Sequence, residues 1–174
     1  ALDNWLQQNP DPTKWPKRSV SPRVLWITPL RALANDTMLS LKAPVDDLKL
    51  PWSIEKRTGD ISATKKRNTL KKPPTCLVTT PESLSLILTQ EEWREVWKDL
   101  ECVIVDEWHE LLGNKRGVQT ELCLARLRHA FPELRLWGVS ATLGDIEIAK
   151  DVLLGTEQEE SKTFLIKGEM PKQI

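Results

Sequence analysis

Across 174 residues there is no tyrosine, and glycine occurs only seven times. No Gly-Lys pair is present, so the chain holds no G-x-x-x-x-G-K-[ST] loop of the kind whose backbone amides cradle phosphates. No run of about 18 apolar residues occurs, and Ala1 to Gln8 lacks the basic-then-apolar layout of a signal peptide. These absences argue against a membrane partner and predict a soluble, cytoplasmic protein. The 25 basic and 25 acidic side chains cancel, so any nucleic-acid surface has to be local. Cys76, Cys102 and Cys123 are widely spaced, with no C-x-x-C pair or Cys/His cluster that would hold zinc. Each sits among aliphatic neighbours, where a reduced thiol serves as a small core hydrophobe.

What the chain does have is 40% hydrophobic residues, enough for one core, and eight tryptophans. Most of these rings are expected as half-buried filler, with a minority available to stack on nucleobases. The length predicts a single domain over 1–174, in which 1–22 is the tail of a helix followed by a basic loop. Asn9-Pro10-Asp11-Pro12 stops that helix.

Short apolar runs then alternate with helical stretches. Strands are predicted at Val24 to Ile27, Trp52 to Lys56, Cys76 to Thr79, Cys102 to Val105 and Leu134 to Val139, with a last one near Phe164 to Lys167. Between them, Leu30, Leu33, Ala34 and Leu41 share one helical face, and further helices are expected after Gly59, after Pro81, after Gly117 and near Asp145. In the helix after Gly117, Cys123, Leu127, Ala130 and Phe131 recur with helical period. Strands apolar throughout and separated by helices indicate an α/β fold of three layers around a mainly parallel sheet buried on both faces. No repeat or low-complexity tract is visible.

Polar motifs come directly after several of these strands, which in an open α/β sheet gathers them on the carboxyl edge, where ligands bind. The sharpest is Asp106-Glu107-Trp108-His109 after Cys102-Val103-Ile104-Val105. Two adjacent carboxylates at a strand end suit a nucleotide's magnesium and the water that attacks it. Equally, such acids cap helix starts, and the dipeptide alone favours that reading. Thr28-Pro29-Leu30-Arg31, Thr79-Thr80-Pro81-Glu82 and Ser140-Ala141-Thr142 complete the edge, and each threonine-proline pair also reads as a plain strand exit with proline in the first helical turn.

Taken as an ordered set, these residues resemble the first lobe of superfamily 2 DExH-box helicases. Asp106 to His109 resembles motif II and Ser140 to Thr142 motif III; Thr28 to Leu33, Arg57 to Asp60 and Thr79 to Ser83 resemble motifs Ia, Ic and Ib. Thr79 to Leu84 and Gly113 to Gly117 are similar to the large helicase-related (Lhr-type) subgroup, whose bacterial forms include ligase-associated ones. The resemblance covers about Arg23 to Leu154 and implies a RecA-like lobe of the P-loop NTPase fold. Its phosphate-binding loop is expected upstream of Ala1, and a second RecA-like lobe elsewhere in the parent protein.

The resemblance further implies an ATP-dependent DNA helicase or translocase using ATP and Mg, with a role in DNA repair and a DNA ligase or nuclease as partner. DNA is expected over RNA as the nucleic acid. Asp106 would hold magnesium through water, Glu107 would activate the hydrolytic water, and His109 would link nucleotide state to Ser140 and Thr142. Pro29, Leu30, Arg31, Thr58, Gly59, Thr80 and Pro81 would grip a strand's sugar-phosphate backbone, with Arg116 a weaker candidate. Trp108 is assigned packing only and His129 a structural place. Seven basic residues against one acid between Lys56 and Lys72 are a further candidate for phosphate contact, or simply a solvated helix face. The fragment alone is expected to be inactive; the alternative is a catalytically dead RecA-like module that docks nucleic acid or protein.

Overall fold

The computed structural model describes residues 1–17, 21–59, 64, 69, 71–141, 146–155 and 163–168. Five short strands, β1 (Val24–Ile27), β2 (Ile54–Arg57), β3 (Cys76–Thr79), β4 (Cys102–Val105) and β5 (Arg135–Gly138), form one sheet in the order β2-β3-β1-β4-β5. Every pair is parallel, with Leu25 of β1 level with Leu77 of β3 and Val103 of β4. Parallel neighbours need crossovers: α2 (Arg31–Asp47) lies between β1 and β2, α3 (Pro81–Leu88) and α4 (Trp93–Val96) between β3 and β4, and α5 (Lys115–Ala130) between β4 and β5, while α1 (Leu2–Gln8) precedes β1 and α6 (Ile146–Leu154) follows β5.

Alternation along the strands divides the sheet into two faces. Leu25, Ile27, Leu77, Val103 and Val105 point into the main core with Leu84 and Ile87 of α3, Leu124 and Leu127 of α5 and Leu153 of α6. Each fully buried side chain of this size contributes roughly 1.5–3 kcal/mol. On the opposite side, Trp5 of α1 packs with Val45 of α2, Leu50, Trp15, Trp52 and Ile54, the indole of Trp5 lying 5.3 Å from that of Trp15. The result is the predicted three-layer α/β fold.

The cysteines are free and buried as expected, and burial pushes the thiols of Cys76 and Cys123 up to about 12 and about 11. Of the eight tryptophans, Trp5, Trp93, Trp97 and Trp108 are buried and Trp137 is half exposed. On α5, Cys123 and Leu127 are buried and Ala130 and Phe131 pack against the same core.

Several expectations need correction. Only the three central strands are covered on both faces; β5 is the edge strand among the described residues, and while Leu136 meets the main core, Trp137 on its other face is 51% exposed. Residues 163–168 carry no strand, and Phe164 is 85% exposed, since an apolar run without a neighbour to hydrogen-bond cannot extend a sheet. Leu30 does not join the buried face of α2. It is the N-cap residue, half exposed, while Ala34 is buried. The boundaries of β2 and β5 shift by one or two residues, and α5 begins at Lys115, where Asn114 Oδ1 accepts from the backbone N–H groups of Arg116 and Gly117. The helix expected after Gly59 and the residue Asp145 lie largely or wholly outside the described residues, whereas α6 runs from Ile146.

Candidate functional site

All five strands deliver their carboxyl ends to one edge, and the turn after β4 is the most tightly held part of it. Asp106 stays in the ladder through its N–H, which donates to Ile27 O at 2.8 Å. Both of its carboxylate oxygens are engaged: Trp26 Nε1 donates to Oδ2 at 3.2 Å and the Glu107 backbone N–H to Oδ1 at 3.1 Å. The Trp26 ring itself lines an apolar cavity beside Val45, Leu50 and Ile54. Glu107 then takes a left-handed backbone (φ 46°, ψ 47°), a conformation that costs a non-glycine residue roughly 1–2 kcal/mol.

Trp108 anchors the next turn. Its ring is 1% exposed, its indole donates to Ala149 O at 3.0 Å and its backbone N–H to Val139 O at 3.0 Å. Packing is therefore its observed place. The anchored turn brings His109 Nδ1 to 2.8 Å from Ser140 Oγ and 3.4 Å from Glu107 Oε2, with Nε2 3.5 Å from Glu110. Thr142 lies outside the described residues. Of the two acids, Glu107 occupies the cap position of the short turn Trp108–Glu110 without a side-chain cap bond, while Asp106 accepts from the Glu107 backbone N–H.

Among the described residues no three His, Cys, Asp or Glu side chains gather as a metal cage. A single carboxylate at a strand end instead fits magnesium, which keeps several waters and takes other oxygens from phosphates. Asp106 is the strand-end carboxylate that fits this requirement, and it is oriented from two sides.

The turns after β1, β2 and β3 differ in what they present. Thr28, Pro29, Thr58, Thr80 and Pro81 are buried, whereas Leu30, Arg31 and Gly59 are exposed. Pro81 is the first residue of α3, and Thr80 at its N-cap makes no side-chain cap bond. Thr79 Oγ1 donates to Arg57 O at 2.8 Å, tying β3 to β2. The Arg31 guanidinium covers Gly59 so closely that a Cβ there would lie 3.0 Å from Nη2.

Only part of the basic cluster lies among the described residues. Lys56 donates to Asn35 on α2, Lys71 and Lys72 are exposed, and Lys65, Lys66 and Arg67 lie outside the described residues. Arg57 is 6% exposed, with no hydrogen-bond partner for Nε or Nη1 among the described residues, and burial lowers its pKa.

Arg116, the weaker candidate for strand contact, is paired with Glu82. Its Nε donates to Glu82 Oε1 at 2.6 Å and its Nη2 to Oε2 at 3.3 Å. Burial raises the Glu82 carboxyl, but the Arg116 hydrogen bond and smaller contributions, including the Thr80 hydroxyl, hold it below the ordinary glutamate range. His129 lies exposed on α5. Trp26 and Glu82 escape a reading of the sequence, because their partners lie 80 and 34 residues away and nothing local marks them.

Comparison with known proteins gives this edge a context. The sequence matches the DEAD/DEAH box helicase family over residues 3–150. It is 37% identical over 153 residues to an ATP-dependent helicase Lhr-Core of Methanothermobacter thermautotrophicus, covering 82% of this chain and 18% of that protein. To the Lhr helicase/uracil glycosylase of Escherichia coli it is 34% identical, covering 73% of this chain and 9% of the relative. The solved Mycobacterium smegmatis helicase Lhr, bound to ssDNA and AMP-PNP, superposes with a TM-score of 0.69 at 35% identity over 78% of this chain and 19% of that one. The chain thus spans less than a fifth of the length of each.

Proposed function

Because the chain belongs to the DEAD/DEAH box helicase family and resembles its Lhr-type members, we propose that residues 1–174 form one RecA-like lobe of an ATP-dependent DNA helicase or translocase. The observation that carries this reading is the gathering of Asp106, Glu107, His109 and Ser140 at the ends of β4 and β5, on the same sheet edge as the turns after β1, β2 and β3.

In this reading Asp106 holds magnesium through water, and the bound ion would supply charge neutralisation on the nucleotide phosphates. Glu107 accepts a proton from, or orients, the attacking water; its half-exposed carboxylate has the freedom to do so. His109, sharing its Nδ1 side with Ser140 and Glu107, relays the state of this turn to the end of β5, with Thr142 as a further partner. The turns that carry Pro29, Leu30, Arg31, Thr58, Gly59, Thr80 and Pro81 face a nucleic-acid strand. The exposed Arg31, Leu30 and Gly59 offer side-chain and main-chain contacts, and the buried threonines and prolines shape the turns. Single-stranded DNA in the similar Mycobacterium smegmatis protein supports DNA as the substrate. The 174 residues contain no Gly-Lys phosphate loop, so hydrolysis needs groups this chain does not supply, and the piece by itself is inactive. A second RecA-like lobe closing over the nucleotide, and a repair partner such as a ligase or nuclease, belong to the same proposal.

The test is nucleic-acid-stimulated ATPase of the complete protein with Glu107→Gln. Turnover is expected to fall by about 10²–10³ with nucleotide still bound, in line with loss of a general base. Undiminished turnover removes Glu107 from the mechanism. A complete wild-type protein that binds single strands without hydrolysing ATP would instead support a docking module.

A further inference from the structure

The two halves of the edge are joined by a rigid connection that the helicase reading does not require. Downstream of the hydrolytic turn, Leu111 is fully buried and its N–H donates to Trp108 O at 3.0 Å. Its carbonyl sits directly on Gly117 of α5: a Cβ at that position would lie 1.8 Å from Leu111 O and 2.8 Å from its carbonyl carbon. No side chain fits there, so the turn and the first turn of α5 are in backbone contact. Asn114 caps the same turn of α5.

One residue before Gly117, Arg116 reaches across to α3, and its planar fork meets both oxygens of Glu82. Glu82 is the second residue of α3, immediately after Thr80 and Pro81 of the strand-facing turn. Alongside the pair, Leu84, Ile87 and Leu88 of α3 share the main core with Leu124 and Leu127 of α5, so neither helix turns alone. The side chains of Arg116 and Glu82 are 36% and 44% exposed. A pair so open to solvent adds little to folding stability, and its value is geometric.

We infer that Glu82 and Arg116 are positioning residues forming a strut that makes the hydrolytic turn after β4 and the strand-facing turn after β3 move as one body. The inference rests on the proposed helicase function and links the turn after β4 to the turn after β3, which the His109–Ser140 contact, running to the end of β5, does not reach. An arginine suits the task because two parallel hydrogen bonds fix direction as well as distance, which a lysine cannot do.

The experiment uses the complete protein with Glu82→Gln, Arg116→Gln, Arg116→Lys and the charge-exchanged pair Glu82→Arg with Arg116→Glu. It measures basal ATPase, ATPase stimulated by single-stranded DNA, strand affinity over a salt series, and thermal melting. Glu82→Gln should lower the stimulated rate about tenfold while leaving the basal rate and the melting temperature near wild type, as expected for loss of coupling between two sites. Arg116→Lys should fall short of wild type, and the exchanged pair should recover most of the stimulation.

Unaltered stimulation in Glu82→Gln overturns the strut. So does an Arg116→Gln variant that loses strand affinity with a shallower salt dependence while Glu82→Gln does not, since that marks a phosphate contact. If the exchanged pair melts normally without recovering stimulation, the ion pair is likewise not the coupling element. A wild-type protein with no stimulated ATPase sinks the functional reading and the strut with it; a stimulated wild type beside an unaffected Glu82→Gln sinks the strut alone.

Discussion

The turn after β4 and the turns after β1, β2 and β3 leave the same edge of the same sheet, yet they are built in opposite ways. Past β4 the chain exposes its candidate site side chains, with the Glu107 carboxylate 39% and the His109 ring 28% accessible, on a backbone pinned by Ile27 and Val139 and a Trp108 indole held by Ala149. Past β1, β2 and β3 it hides them: Thr28, Thr58 and Thr80 are at most 1% exposed. One region offers chemistry through side chains. The others offer a surface of main chain, glycine and a few exposed residues, which suits a backbone-tracking grip that reads no bases.

The contrast breaks first where the two regions are joined. Gly117→Ala forces a Cβ into a carbonyl oxygen and should destabilise the protein by about 3 kcal/mol, as overpacking does. Chemical denaturation reads this, and a loss under half a kilocalorie would mean that the turn after β4 is not braced by α5. A smaller effect sharpens the first region. Trp26→Phe keeps the ring that lines the cavity but removes the donor to Asp106, so magnesium or manganese affinity in the nucleotide complex should drop about tenfold, as for other outer-shell partners of a metal ligand. Unchanged metal affinity would make the indole contact incidental. The smallest effect tests the second region. Thr58→Ala should cost about 1 kcal/mol of stability yet leave strand affinity of the folded protein unchanged, whereas Arg31→Ala should weaken binding a few-fold and flatten its salt dependence. The reverse pattern would show that the buried threonines reach the strand after all.

The parts of this fold legible in the sequence are those where one local signal suffices. β1, β3 and β4 are continuous apolar runs because both faces are covered, and α5 shows its core face through Cys123 and Leu127. The end strand β5 misled, since Leu136 is only partly covered and an apolar run does not reveal which strand lies at the edge. Phe164 to Lys167 misled for the same reason: extended propensity is not pairing. At the site, Asp106 to His109 announces itself by order along the chain. What holds it does not, because Trp26 meets Asp106 only through the adjacency of β1 and β4, and Arg116 looks like a loose loop cation until α3 and α5 are packed together.

The left-handed backbone at Glu107 has a consequence for how this sequence is maintained. Glycine, asparagine or aspartate would occupy that conformation at lower cost, so a chain selected only to fold would drift towards them at this position. Under the proposed function, a glutamate there is a standing compromise between fitness of the fold and work done for a ligand. It marks the one place on the described sheet edge where ease of folding and usefulness pull on the same backbone torsion in opposite directions.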